Sequence, residues 1–314
     1  MTVAIQLTES VITAMSTTVS VQVVGAGDAR ARIQSALAWF PEVERVCSRF
    51  LPDSELRQLC TQVGQPVPVS PLLFNALHFA LAVAAASDGA FDPTVGATME
   101  SRGFATSWRD AQPSSSGVPT TSATWRDIEV DADTHTATLH RPLLLDLGAV
   151  AKGLAVDLAA ESLADLEHFA IDAGGDLYCA GHNAEGMPWT VGLQHPRAHT
   201  ECLATLQVLN MAVCTSGDYA RRVPPTAPHA PTAHHLWNPR TRSCASTLAS
   251  ATVIAPRAIV ADALATAAFI LGPVDGLTFL TAQQVEGMLV TPQLACLATA
   301  GFDAYRRPTD RYAH

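Results

Sequence analysis

The sequence predicts a globular chain in which β-strands and α-helices are interleaved around a shared core. Three observations carry this. The 314 residues suffice for one large domain, or for two that share a core. Apolar residues make up 48% and charged residues 15%, the composition of a packed chain and not of a disordered one. Segments that alternate β-branched and polar residues are interspersed with apolar segments of helical spacing, and glycine and proline punctuate the joins.

Residues 3–24 alternate in this way, most clearly over Thr17–Val24, and read as two strands or a hairpin. Gly25-Ala26-Gly27-Asp28 ends the second strand. A dinucleotide fingerprint fails here because the third glycine position holds Arg30, so a tight strand-to-helix turn is the better reading. Ala29–Val46 has helical spacing through Ile33, Leu37, Phe40 and Val43, with Pro41 able to bend it. Pro52-Asp53-Ser54 caps a short helix over Glu55–Leu59. Pro66–Pro71 reads as a linker. Ser70-Pro71 then starts an Ala-rich helix over Leu72–Ser87, apolar all round and so expected to be buried.

Ser87–Gly96 is a dense loop. Its Gly89-Ala90-Phe91-Asp92-Pro93 core fits an ordinary turn with an Asx bond, and equally one wall of a slot for a flat ring. Thr106–Thr124, rich in Ser, Thr and Pro, is a loop. Ile128–Val130 and Ala137–Leu139 form a strand pair around Asp131-Ala132-Asp133, where two aspartates act as turn formers sooner than as a cation site.

Leu143–Asp157, LLLDLGAVAKGLAVD, starts as an apolar strand, turns at Asp146-Leu147-Gly148 and continues as a helix. Free N–H groups at such a junction are a ready place for phosphate. Asp146 and Lys152 are costly in so apolar a setting. They fit either a capping Asp with a snorkelling Lys, or a ligand site.

Phe169–Tyr178 reads as strand, diglycine and strand, the glycines allowing another backbone or a ligand to come close. Val191–Leu193 and Ala204–Val208 are further strands. Val213-Cys214 leads into a Thr215-Ser216-Gly217 turn offering hydroxyls and amides, followed by Arg221 and Arg222. Residues 223–233, with four prolines, form a loop. His234-His235 precedes an Asn-Pro turn. Neighbours in an extended segment face opposite ways, so at most one of the two points into a site, and His234 is expected at the surface. After the strand Thr252–Ala255, the helix Ala258–Leu271 is apolar apart from Asp262 and Thr266, which share one face. A carboxylate and a hydroxyl so placed suit Mg²⁺; the alternative is their mutual pairing inside the core.

The net charge of −10 with no Lys/Arg block argues against nucleic acid and against an anionic membrane surface, but not against a phosphate ligand. Seven scattered cysteines without C-x-x-C fit buried reduced thiols. The first residues lack a basic segment followed by a long apolar one, and no run reaches membrane-span length, so a cytoplasmic location is expected. G-x-S-x-G, a cysteine beside histidine and a P-loop are all missing, which sets aside those hydrolase and NTPase classes.

The segments SRFLPDSEL, DGAFDPTVG, LDLGAVAKGLAVD, DAGGDLYCAG, CTSGDYARR, HHLWNPRT and ADALATAAFILG, in this order from about Met15 to Arg306, resemble the ApbE family of FAD:protein FMN transferases. Met15-Ser16-Thr17 resembles the opening of that family's first strand. The resemblance implies an α+β fold of mixed or antiparallel sheets with packed helices, T-fold-like and two-lobed, with the ligand between the lobes. Residues 1–314 would be one domain, with sub-lobes 1–105 plus 258–314 and 125–257, and the loop 106–124 between. It implies FAD as substrate, Mg²⁺ as cofactor, and transfer of FMN through its phosphate to a Thr or Ser of a target flavoprotein, releasing AMP.

By that resemblance Met15, Phe50, Ala90, Phe91 and Asp92 line the flavin and adenine slots. Asp146, Lys152 and Gly175 sit at the FAD site, with Ser216 and Gly217 near the isoalloxazine or phosphates, and Arg221 or Lys152 adds positive charge. Ala149 (through its carbonyl), Asp262 and Thr266 hold Mg²⁺, and His235 is the base for the acceptor hydroxyl. Cys60, Asn238 and Arg242 stand where the family pattern has Asn, Asp and Gly. Two other readings share these motifs: an FAD hydrolase giving FMN and AMP, and a non-catalytic FAD-binding protein.

Overall fold

An antiparallel sheet of eight strands, hydrogen-bonded in chain order, forms the frame of the computed structural model: Leu7–Ala14 (β1), Thr17–Val24 (β2), Phe169–Ala173 (β3), Asp176–Ala180 (β4), Met211–Gly217 (β5), Ser250–Ala255 (β6), Glu286–Val290 (β7) and Cys296–Ala298 (β8). The structure describes residues 7–25, 27, 29–105, 116–120, 122–198, 200–223 and 233–307. Residues 3–6 of the expected first strand, Ala26 and Asp28 of the first turn, 106–115 and 121 of the Ser/Thr/Pro-rich loop, and 224–232 of the proline loop lie outside the described residues.

Alternation explains the sheet. In β2, Val19, Val21 and Val23 are buried while Thr18 is exposed, the period of two expected of a strand with one face on a core. On that face lie the helices Arg30–Leu37 (α1), Trp39–Cys47 (α2), Glu55–Cys60 (α3), Pro71–Ala86 (α4), Gly96–Ser101 (α5), Gly148–Ser162 (α6), Ala258–Leu271 (α7) and Pro273–Ala282 (α8). On the other face a ribbon of Trp189–Gln194 and Cys202–Val208 covers a smaller core of Val191, Leu193, Leu206, Val213, Ile254, Met288 and Phe302. The α+β class with antiparallel sheets holds. Among the described residues no helix is long and apolar enough to cross a membrane.

Several local expectations hold with their causes visible. Ser54 caps α3, its hydroxyl accepting from Arg57 N at 3.1 Å. Ser70 caps α4 with Pro71 in the first turn. Asp131 accepts from Asp133 N (2.8 Å) and Thr134 N (3.2 Å), as a turn former does. All seven cysteines are free, although Cys202 is exposed.

Others need correction. The helix expected over Ala29–Val46 is two helices that break at Ala38, because Pro41 has no N–H for the Leu37 carbonyl and its ring crowds that turn. Pro66–Pro68 is a short edge strand beside Thr136–Leu139, a place where proline is tolerated. α4 is buried on one face only, its alanines Ala82, Ala85 and Ala86 lying outside. Leu143–Leu145 is not a sheet strand. It makes one parallel bridge, Leu144 to Val95, and is held by Gly96 N to Leu144 O and Asp146 N to Pro93 O. Thr215-Ser216-Gly217 belongs to β5, and the turn follows at Asp218.

The contact that positions the site is the crossing of α6 over the start of α7. At Gly153 a Cβ would lie 2.5 Å from Ala258 O and 2.6 Å from Ile259 Cα, so only glycine admits this approach. α7 has no side-chain cap of its own. Asp157 of α6 supplies it, accepting from Ala258 N at 2.6 Å and Ile259 N at 3.2 Å. Removing this carboxylate strands two buried N–H groups. Asp157→Ala is therefore expected to lower the unfolding free energy by about 2 kcal/mol, read as a lower urea midpoint. An unchanged midpoint would refute the capping role.

Candidate functional site

A cavity of about 340 Å³ opens where the β1–β2 and β3–β4 turns, the end of β5, the start of α6 and the Asp262–Thr266 face of α7 meet. The loop-borne Arg49, Phe50, Phe91 and Asp92 wall one side, and His235, Leu236 and Trp237 another. Of the residues expected at a site, Phe50, Phe91, Asp92, Asp146, Ala149, Lys152, Ser216, Gly217, Arg221, His235, Asp262 and Thr266 line it. Three do not. Met15 lines an adjoining cavity of about 60 Å³, with Phe50 and Asp146. Gly175 lines another of about 320 Å³, which shares Gly174, Thr215 and Gly217 with the first. Ala90 is packed in the core beneath Phe91.

The electrostatic centre is a buried triad. Lys152 lies on the inner face of α6, and its ammonium donates to Asp176 Oδ2 and, at 3.2 Å, to Asp262 Oδ2. Gly153 N also donates to Asp262, at 3.3 Å. Burial pushes the Asp262 carboxyl up to about 6; the Asp176 charge adds to this and Lys152 opposes it. For Lys152 burial acts downward, but the two carboxylates outweigh it and the ammonium is held above its usual range. One cation against two carboxylates leaves this corner net negative.

A second charged group lining the same cavity is net positive. Arg49 Nε donates to Asp146 Oδ2 at 2.7 Å, and Gly148 N donates to the other oxygen at 2.9 Å. Burial acts upward on the Asp146 carboxyl, but Arg49 and this N–H outweigh it and hold it below the usual carboxylate range. Arg221 is lowered by burial and by Arg49, with Asp146 opposing. His235 borders this group. Burial, the Arg221 charge and His234 depress its imidazole to about 3, and its Nδ1 is buried without a partner among the described residues. The ring is thus held toward its neutral form.

The remaining residues divide by their bonds. Asp92 forms the Asx bond, accepting from Thr94 N (2.9 Å), Thr94 Oγ1 (2.7 Å) and Trp125 N (3.2 Å). The Asx turn is thus present, and Phe91 of the same loop lines the cavity. Ser216 and Thr266 bond each other through their hydroxyls at 2.9 Å, so Thr266 does not pair with Asp262. His234 is buried, not at the surface: it packs edge-on against Phe269, and its Nδ1 accepts from Leu236 N at 3.3 Å. The substituted positions are accommodated. Arg242 holds φ 53, the left-handed region that favours glycine. Asn238 accepts from Arg240 N and Thr241 N, as aspartate would. The Cys60 sulfur faces Leu145 N at 3.4 Å.

Arg49, Asp176 and Trp237 are site residues that sequence reasoning did not single out. The signal for Asp176 was present: an acid placed directly after a diglycine turn. Arg49 carries no local signal, since its partner Asp146 is 97 residues away.

The cavity sets aromatic side chains beside a cluster of buried charges within an α+β fold. The ApbE family model matches residues 15–289, and the chain belongs to the ApbE family. It is 31% identical over 255 residues to an FAD:protein FMN transferase of Haemophilus influenzae, covering 74% of this chain and 70% of that protein. It is 30% identical over 300 residues to the FAD:protein FMN transferase of Treponema pallidum, covering 88% and 81%. Among solved structures, the ApbE protein of Thermotoga maritima superposes with a TM-score of 0.85 at 25% identity, over 96% of this chain and all of that one. The flavin transferase ApbE of Vibrio cholerae has the same fold, with a TM-score of 0.81 at 22% identity, over 96% of this chain and 99% of that one.

A depressed histidine costs stability as pH falls. Unfolded His235 binds a proton near pH 6.5 and the folded ring only near 3, so its contribution is full above 6.5 and is lost below it. Between pH 7.5 and 5, discounting for water in the cavity, the wild type is expected to lose about 1–2 kcal/mol more than His235→Gln. Urea midpoints at the two pH values measure this. Equal losses would show that the imidazole titrates normally.

Proposed function

We propose that the chain is a Mg²⁺-dependent FAD:protein FMN transferase, a single domain over residues 1–314 whose lobes 1–105 plus 258–314 and 125–257 meet at the cavity. The observation that carries the reading is the Lys152–Asp176–Asp262 triad facing aromatic walls across one cavity, in a chain whose relatives bear that activity by name.

The donor set fits the metal. Asp262 and Thr266 offer hard oxygens one helical turn apart, and the triad carries one negative charge in excess. Among the described residues no three His, Cys, Asp or Glu side chains converge as a metal cage, which suits Mg²⁺ because it keeps waters and substrate phosphates in its shell. Asp262, Thr266 and the Ala149 carbonyl would hold it, and when bound it neutralises charge on the pyrophosphate.

The chain's own residues do the rest. Phe50 and Phe91 confront the ring systems of FAD, with Met15 and Gly175 at the adjoining cavities. Ser216 and Gly217 lie along the substrate. Lys152 and Arg221 bring positive charge to the phosphates and align them for in-line attack. The Thr or Ser oxygen of the target flavoprotein attacks the phosphorus of the FMN half, the bond to the AMP half breaks, and the hydroxyl proton passes to neutral His235. An anionic substrate beside Arg221 offsets the positive field that depresses this imidazole, raising its basicity when it is needed.

The test is incubation with FAD, Mg²⁺ and a flavoprotein carrying an acceptor Thr. In-gel flavin fluorescence on the target supports transfer. FMN and AMP formed without a target support the hydrolase instead, and the absence of any product sinks both. Asp262→Ala is expected to lower Mg²⁺-dependent turnover by roughly 100-fold or more. Wild-type turnover in that variant overturns the metal assignment.

A further inference from the structure

Trp237 opens the short hairpin strand Trp237–Asn238, and Cys244 stands directly opposite it across the pair. The Arg102 guanidinium lies 4.2 Å from the centre of the indole, and its Nη2 donates to the Cys244 sulfur at 3.2 Å. One face of the indole is therefore covered by a cation that is itself tied to the cross-strand neighbour. Trp237 is half-buried and lines the main cavity, whereas Arg102 does not line it, so the guanidinium braces the ring from behind.

The lining around the indole is apolar. Met99 and Phe104 lie on either side of Arg102 in sequence, are joined by Phe104 N donating to Met99 O at 3.0 Å, and line the cavity too. Leu236 precedes Trp237 in the same wall. A large aromatic surface held in one plane in such a lining suits a flat ligand ring, which covers it without asking for a hydrogen-bond partner.

His235 decides which ring. Two residues of chain span at most about 7 Å, so Trp237 lies next to the histidine that receives the acceptor proton in the reading above. In-line displacement brings the acceptor oxygen in opposite the leaving AMP half. Groups beside His235 then adjoin the FMN half of the substrate, and the ring of that half is the isoalloxazine. Resting on that FAD reading, we propose that Trp237 is a substrate-binding residue whose indole stacks on the isoalloxazine ring of FAD.

The test separates the two rings of the substrate. Affinities of the metal-free protein for FAD, FMN and ADP are measured by equilibrium dialysis for the wild type, Trp237→Ala and Trp237→Phe. FMN carries the isoalloxazine without adenine, and ADP the adenine without isoalloxazine. In Trp237→Ala, FAD and FMN affinities are each expected to fall about 5- to 30-fold, the span of one lost stacking partner, with ADP affinity unchanged within about twofold. Trp237→Phe keeps a ring against Arg102 and is expected to recover most of the loss, which separates stacking from damage to the hairpin. Loss of ADP affinity alone would assign the indole to adenine and overturn the proposal. Equal losses for all three ligands, or unchanged FAD affinity in Trp237→Ala, would overturn it as well. A wild type that does not bind FAD fails the FAD reading itself, a result distinct from each of these.

Discussion

Everything in the site depends on how closely α6 crosses α7. The 2.5 Å between a notional Cβ at Gly153 and Ala258 O means that any side chain there must part the helices. Lys152, next in sequence, reaches Asp262 at 3.2 Å only because the helices touch. Asp157, four residues beyond Gly153, fixes the same contact from the other side by capping α7. One stretch of α6 thus carries the Lys152 ammonium, the gap that lets it reach its partner, and the cap that holds the partner's helix in register. A small displacement of this contact would separate charges that are costly to bury alone.

The charges make sense as a pair of groups. Replacing a buried ion pair by apolar residues is often neutral or stabilising, so the Lys152 triad and the Arg49–Asp146 pair are poor investments for folding. Under the proposed function their arrangement answers a different need. A pyrophosphate with a divalent cation is itself a dipole, negative at its oxygens and positive at its metal, and Arg49 and Arg221 on one hand and Asp176 and Asp262 on the other would be its complement. Fixed charges of this kind cost no reorganisation when the ligand arrives, which is what phosphoryl transfer asks of a protein.

Local patterns made much of this legible. Alternation located β1 and β2, Ser54 and Ser70-Pro71 marked helix starts, and the four-residue spacing of Asp262 and Thr266 put both on one face of α7. What stayed hidden was set by contacts distant in sequence. Leu143–Leu145 has the composition of a strand but is claimed by Val95 and Pro93, and no local rule foretells that. Pro66–Pro68 looks like a linker until Thr136–Leu139 arrives beside it. Asp176 and Arg49 acquire their roles from partners 24 and 97 residues away. The break at Ala38 is a different case, since Pro41 was visible and only the reach of its effect to the preceding turn was missed.

His235 shows how far residue type underdetermines role. A histidine beside an acceptor hydroxyl invites assignment as a base poised near neutrality, yet burial and Arg221 depress this one to about 3. Burial is the larger cause and the Arg221 charge the second. Under the proposed function an anion engaging Arg221 would offset only the second of these, so the basicity of the imidazole rests on its surroundings more than on its residue type.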